Sequence, residues 1–211
     1  MKGRTILWAG AALLLAACDT ASRSETEQTQ ANPVVETIMV RRSVRKYKPQ
    51  PVPREVMRTI VECGIHAPNG MNAQPWEVRV VDDPEFLEGV TALQLEEMDP
   101  ERREAMTGEG FRNMFRNAPT VVFIANKADG SGQIDCGLMG GNMILAARSM
   151  GIGSVCLGGP VAFMRSEKAA DYLRRLGFSE GYSLLYAIGF GYPDEEPEAK
   201  PRDASKVVFV D

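Results

Sequence analysis

Apolar residues fall in short blocks along this 211-residue chain, and their spacing predicts its elements. At the start, Thr5–Ala17 is an uncharged apolar run behind Lys2 and Arg4. It is too short to span a bilayer and has the length of a signal-peptide core. Residues 19–33, DTASRSETEQTQANP, hold no large apolar residue and read as a flexible tether, so a folded domain is expected over 34–211. Val34–Arg42 and Arg54–His66 carry helical spacing, with Pro53 where a first-turn proline is tolerated. Ala67–Pro75 reads as a loop. Trp76–Val81, Thr120–Ala125, Gly153–Leu157 and Tyr182–Phe190 read as strands, and the unbroken TVVFIA at 120–125 reads as a buried one.

Pro84–Arg116 is helical in propensity but broken near Asp99-Pro100 and at Gly108 and Gly110, which suggests a lid. Ile134–Met150 is apolar almost all round, as a buried helix would be. Its Gly137, Gly140 and Gly141 would let a second backbone come close, pointing to a subunit interface. Ser166–Leu176 is amphipathic and stops at Gly177. Residues 193–201 carry three prolines and suggest an extended arm. The strand-like Val207–Val210 beyond it would add to the sheet edge of a partner.

Charge and composition narrow the functions open to the chain. There are 24 Lys+Arg against 28 Asp+Glu, a net charge of −4 and a pI near 5.3. A general nucleic-acid binder needs a basic face, so none is expected as partner. His66 is the only histidine, which excludes a two-histidine zinc helix, and no metal site is expected. His66 reads as structural. No G-x-G-x-x-G, P-loop or G-x-S-x-G is present, and no two cysteines form C-x-x-C. Cys63, Cys136 and Cys156 therefore read as buried free thiols. Cys18 is different. Leu15-Ala16-Ala17-Cys18 resembles the lipobox of bacterial lipoproteins, in which the cysteine is acylated and the chain is cut before it. On that reading residues 1–17 are a signal peptide, and 18–33 are the lipidated cysteine and tether. The cut removes two cations and no acid, leaving 22 against 28, or −6. The expected location is the cell envelope, outside the inner membrane.

Four clusters carry candidate chemistry. Residues 41–48, RRSVRKYK, set five further cations around Ser43, Val44 and Tyr47, a phosphate site or a solvated basic face. Ala67–Trp76, APNGMNAQPW, puts amides in a tight loop that could read the edges of a planar heterocycle or simply be turn chemistry. Ser154–Pro160, SVCLGGP, frees backbone N–H groups for close approach. Lys200-Pro201-Arg202 restores cations after an acidic arm.

In this order, over about residues 36–210, the clusters resemble the nitroreductase family. RRSVRKY matches its first phosphate segment, and APNGMNAQPWEVRVV the segment A-P-S-x-x-N-x-Q-P-W. DCGLMGGNMILAARSMGIGSVCLGG matches its central helix and the following loop. The resemblance implies an α+β fold with a central, mainly antiparallel sheet flanked by helices. It implies a homodimer with exchanged C-terminal arms and FMN at the interface. Arg41, Arg42, Ser43 and Arg45 would hold the FMN phosphate and flavin edge. Pro68, Asn69, Gly70 and Asn72 would line the isoalloxazine from the other subunit. Gly158 and Gly159 would offer a backbone N–H to flavin N5, and Lys200 and Arg202 would reach the phosphate. Asn69 stands where the family has Ser, and the Leu157-Gly158-Gly159 loop lacks the acid of some members. With no Tyr between Pro84 and Arg116, iodotyrosine deiodination is disfavoured.

The implied activity is FMN-dependent, ping-pong transfer of hydride or electrons to a small acceptor such as a nitroaromatic or quinone. It needs no catalytic side chain, because the flavin supplies the chemistry. The family's donor, NAD(P)H, is cytosolic, whereas an exported lipoprotein meets little of it. A membrane-linked electron source is the other option. The competing reading is a tethered flavin carrier without turnover.

Overall fold

The computed structural model describes residues 32–210. Cys18 and most of the tether lie outside the described residues. Four strands form one sheet in the order β1 (Trp76–Val81), β2 (Thr120–Lys127), β4 (Tyr182–Gly191), β3 (Gly153–Leu157), with every pairing antiparallel. The expected α+β class is the observed one, with β2 and β4 each one or two residues longer than their apolar blocks.

The sheet is covered on both faces, which is why TVVFIA is apolar without alternation. Val121 and Phe123 point into one core with Phe86, Leu87, Val90 and Met164. Val122 and Ile124 point into the other with Met57, Ile60, Met139 and Met143. Register slips between Ile124 and Ala125 opposite β4, a bulge that turns Leu184 and Ala187 to the same core.

Helices α1 (Pro33–Val40) and α2 (Arg54–Ile65) precede the sheet, and α5 (Gln133–Ser149) crosses beneath it. The Asn32 side chain caps α1 by accepting from the N–H of Val34 and Val35. Arg41 is already extended, so this helix ends short of Arg42. Between β1 and β2 lie α3 (Pro84–Glu96) and α4 (Pro100–Met106), each started by an aspartate cap, Asp83 or Asp99. The expected lid therefore divides. Phe86, Leu87 and Val90 root α3 in the core, and only α4 lacks a buried residue. After β3 comes α6 (Gly159–Met164), which its Gly-Gly-Pro start concealed. The expected helix over 166–176 is a 3-10 turn followed by α7 (Ala170–Arg175). Val207–Val210 pair with no strand among the described residues and stand exposed.

Helix α5 is not buried all round. Cys136, Met139, Gly140, Met143 and Ala147 face inward, while Ile134 (80% exposed) and Leu138 (44%) face out. Its glycines divide accordingly. A methyl at Gly137 or Gly141 would meet nothing within 4 Å. One at Gly140 would sit 2.1 Å from the Tyr186 hydroxyl, which donates to the Cys136 carbonyl at 2.6 Å. Gly140 thus admits a tyrosine ring rather than a second backbone. Gly140→Ala should cost about 1–3 kcal/mol, since overpacking and a broken buried hydrogen bond outweigh the gain in helix propensity. Chemical denaturation would measure it; an unchanged midpoint would show that Tyr186 swings away freely.

Candidate functional site

The cationic run 41–47 crosses from the free edge of β3 to the continuation of β4. Ser43 bridges Ser154 in parallel, and the Val44 N–H donates to the Ser154 carbonyl at 3.0 Å. Tyr47 bridges Pro193; the Lys48 N–H donates to Tyr192 and the Asp194 N–H to the Lys46 carbonyl. Glu195 closes the seam, its carboxylate accepting from the backbone N–H of both Arg45 and Lys46.

Two buried side chains fix which way the cations face. Val44 packs where Gly153 has no side chain, and the Tyr47 ring fills the space over Gly191. The Tyr47 hydroxyl donates to the Val44 carbonyl at 2.6 Å. Arg112 braces the turn from outside, donating to the Tyr47 carbonyl at 3.0 Å. With Val44 and Tyr47 turned inward, Arg41, Arg42 and Ser43 are half-buried and Arg45 and Lys46 exposed. None of the four basic residues forms an ion pair with a carboxylate among the described residues.

A cavity lies on each side of this run. The first, about 400 Å³, is lined by Arg41, Arg42, Ser154 and Arg148, with Glu195 and Glu196 on the arm side. Arg148 was not among the sequence candidates. Its signal was present, since a cation in the last turn of the central helix points at whatever that helix end abuts. The second, about 540 Å³, runs from Arg45 and Lys46 past Gly159 and Pro160 to α4. Gly158 and Gly159 are exposed, and a methyl on either would touch nothing.

Other predicted residues lie elsewhere. Asn69 organises the loop 67–75, accepting from the Gln74 N–H at 2.9 Å, and the Gly70 N–H donates to Asp135 at 3.3 Å. Met71, Asn72 and Gln74 have positive φ, and Met71 is fully exposed. Three such non-glycine residues within four positions store strain of a kind common at binding loops. Pro68, Asn69, Gly70 and Asn72 line neither cavity. Their loop sits at the start of α5 and Arg148 at its end, about 20 Å apart at 1.5 Å per residue. Lys200 and Arg202 are exposed, and Arg202 donates only to carbonyls of its own arm, Lys200 and Pro201.

The thiols correct the sequence reading. Only Cys136 is buried; Cys63 is partly covered, and Cys156 is an exposed residue. β3 is an edge strand, where one side chain can be left uncovered, and the short segment GSVCL carries no signal of which one. Partial burial of its sulfur pushes the Cys156 thiol above its ordinary value, against the smaller opposing pull of Arg41. His66 is exposed, its ring lying 3.3 Å from Glu62 one turn earlier.

The architecture and the site define a class: an α+β protein whose guanidinium groups and open glycine backbone line cavities at the edge of its sheet. Comparison with known proteins gives the family. The nitroreductase family matches residues 38–192. An NADPH-flavin oxidoreductase from Vibrio harveyi is 29% identical over 190 residues, covering 84% of this chain and 72% of that protein. A nitroreductase with bound FMN from Desulfitobacterium hafniense DCB-2 is 28% identical with a TM-score of 0.75, covering 85% of this chain and 99% of that one. Another with bound FMN, from Bacteroides fragilis NCTC 9343, is 27% identical with a TM-score of 0.74, covering 85% and 100%. The chain belongs to the nitroreductase family.

Buried protons in the site scaffold make stability depend on pH. Burial pushes the Cys136 thiol up to about 11 from 9.0, and it pushes the Tyr47 and Tyr186 phenols well above their ordinary range. All three are raised, so the folded state keeps protons that the unfolded chain releases. Their support is complete below about pH 9 and is lost as pH rises towards 11. The melting temperature should stay level from pH 7 to 9 and fall above it. A flat profile to pH 10.5 in scanning calorimetry would contradict the burial of these groups.

Proposed function

We propose that two copies of this chain form one flavoenzyme, with FMN held where the cationic run of one meets the amide loop of the other. The protein is an FMN-dependent oxidoreductase of the nitroreductase type. The observation that carries this reading is the run 41–45. Its guanidinium groups lack carboxylate partners among the described residues and line cavities on both sides of a pinned backbone. That donor set fits a phosphate monoester, which guanidinium forks bind bidentately. Arg41 and Arg42, helped by Ser43 and by Lys200 and Arg202 from the arm, would hold the phosphate. Arg45 would stand at the ring edge, where a fixed cation favours the anionic reduced state. The Gly158 and Gly159 backbone is open to a flat ring.

Three features support the dimer. Pro68, Asn69, Gly70 and Asn72 sit at the far end of α5 from the cationic cavity of their own chain and line no part of it, so those of the partner subunit would close on it. The uncovered stripe of Ile134, Gly137, Leu138 and Gly141 gives the partner an apolar surface. Val207–Val210, exposed and unpaired, would cross to the partner.

When bound, FMN supplies two-electron transfer in two half-reactions, from a donor to an acceptor. The chain's own task is to bind, orient and shield. The open cavity beside Gly159 supports turnover over a sealed carrier. The proposed donor is NAD(P)H or a membrane-linked reductant, and the acceptor is a nitroaromatic or quinone. The lipobox at Leu15–Cys18 supports acylation of Cys18 and a place in the cell envelope, with residues 18–33 as tether to a domain over 34–211. No helix among the described residues is long and apolar enough to cross a membrane.

The purified protein should elute as a dimer with a flavin spectrum, bleached by a nicotinamide donor and restored by nitrofurazone or a quinone. Arg41→Ala and Arg45→Ala should each weaken FMN retention, since each removes charged hydrogen bonds worth about 1.5–3 kcal/mol. Full retention in both variants would sink the assignment. Cys18→Ser should abolish metabolic palmitate labelling and release the protein from membranes. A variant still labelled and membrane-bound would rule out the lipoprotein form.

A further inference from the structure

The 540 Å³ cavity has more positive charge than a flavin edge requires. Arg45 and Lys46 form one wall, Arg102 of α4 another, and Arg116 a third, against a single acid, Glu109. None of the four cations forms an ion pair with a carboxylate among the described residues. Three of the exposed pairs elsewhere are short-range contacts within one helix or turn, so acids are on hand where the fold lets them reach. In a chain of net charge −4, four unpaired cations around one opening raise the local concentration of anions.

The wall that carries Arg116 is built rather than loose. Arg116 and Asn117 both have left-handed backbone, φ 61° and 60°. The Asn117 side chain enforces it, accepting from the Arg112 and Asn113 N–H groups at 2.7 and 3.0 Å and donating to the Gly110 carbonyl at 2.9 Å. Arg112 donates to the Asn117 carbonyl at 2.9 Å and ties this turn to Tyr47, and so to the cationic run. Strained residues held by a surrounding network cluster at binding and catalytic sites. The remaining lining is soft and apolar, with Met98, Met106, Phe111 and Met114. Thioether groups adapt to flat rings of differing outline.

A flat apolar body with a negative group satisfies both halves of this lining. We propose that the cavity is the acceptor pocket and that it selects planar nitroaromatics or quinones bearing a carboxylate, sulfonate or phosphate. The inference rests on the assignment of FMN beside Arg45 and Gly159, which border the cavity. Arg102 and Arg116 bind the acceptor's anionic group; that group does not react. In the reaction of a nitro acceptor, the nicotinamide donor gives up two electrons and leaves oxidised. The nitro group takes those electrons and two protons, one N–O bond breaks, and water leaves with a nitroso product.

The test uses FMN-loaded protein with NADH as donor and two acceptors of similar shape, 4-nitrobenzoate and its neutral counterpart 4-nitrobenzamide. Wild type should prefer the charged acceptor in kcat/KM by about tenfold or more, the lower end of what one charged hydrogen bond confers. The preference should shrink as salt is raised from low ionic strength. In Arg102→Gln and Arg116→Gln the ratio should move towards one through KM for 4-nitrobenzoate. Equal constants for the two acceptors in wild type would overturn the proposal without any variant. A rise confined to KM for NADH would assign the cations to the donor and overturn it too. Loss of the flavin spectrum itself would instead count against the FMN assignment.

Discussion

The site depends on keeping cations close together without letting acids neutralise them. An extended run with Arg41, Arg42, Arg45 and Lys46 is electrostatically costly, and a loop of that composition would normally swing into solvent. Here the cost is offset by the two non-polar anchors in its midst. Val44 and Tyr47 are nearly fully buried, and the backbone between them is bonded to β3 and to the continuation of β4. One acid, Glu195, does approach. Its carboxylate is taken up by backbone N–H groups, so it steadies the run without capping a guanidinium.

That anchoring also sets the distance between the cationic run and the amide loop. The cationic run belongs to the β3–β4 edge, whereas the amide loop 67–75 belongs to the start of α5, tied there by Asp135. The length of α5 separates them. The uncovered stripe on that helix, the exposed Met71 and the unpaired terminal valines are all surfaces with an apolar deficit in the single chain. In the proposed dimer a second copy would cover all three at once.

Most of the fold was legible because its elements announce themselves by local pattern. The unbroken TVVFIA predicted a strand covered on both faces, and β2 is one. The cationic run was legible as composition, and its position beside Gly158 and Gly159 follows from the sheet order. What escaped depended on contacts between distant residues. Arg148 joins the site only because the end of α5 meets the run. Gly140 looked like a helix–helix contact and instead makes room for Tyr186. Cys156 read as buried because apolar neighbours say nothing about a free sheet edge, and α6 hid behind glycines and a proline.

The grip of the 193–195 segment on the cationic run has a bearing on how the chain can change length. Pro193, Asp194 and Glu195 each hold a different residue between Arg45 and Tyr47. An insertion ahead of them would shift all three out of register together and unsettle the guanidinium groups directly. One placed after Arg202 would lengthen only the reach to the terminus. The C-terminal segment is thus two parts with different tolerances, a clamp that must keep its spacing and a cable free to grow. Relatives with longer or shorter tails should differ beyond the position of Arg202 and agree before it.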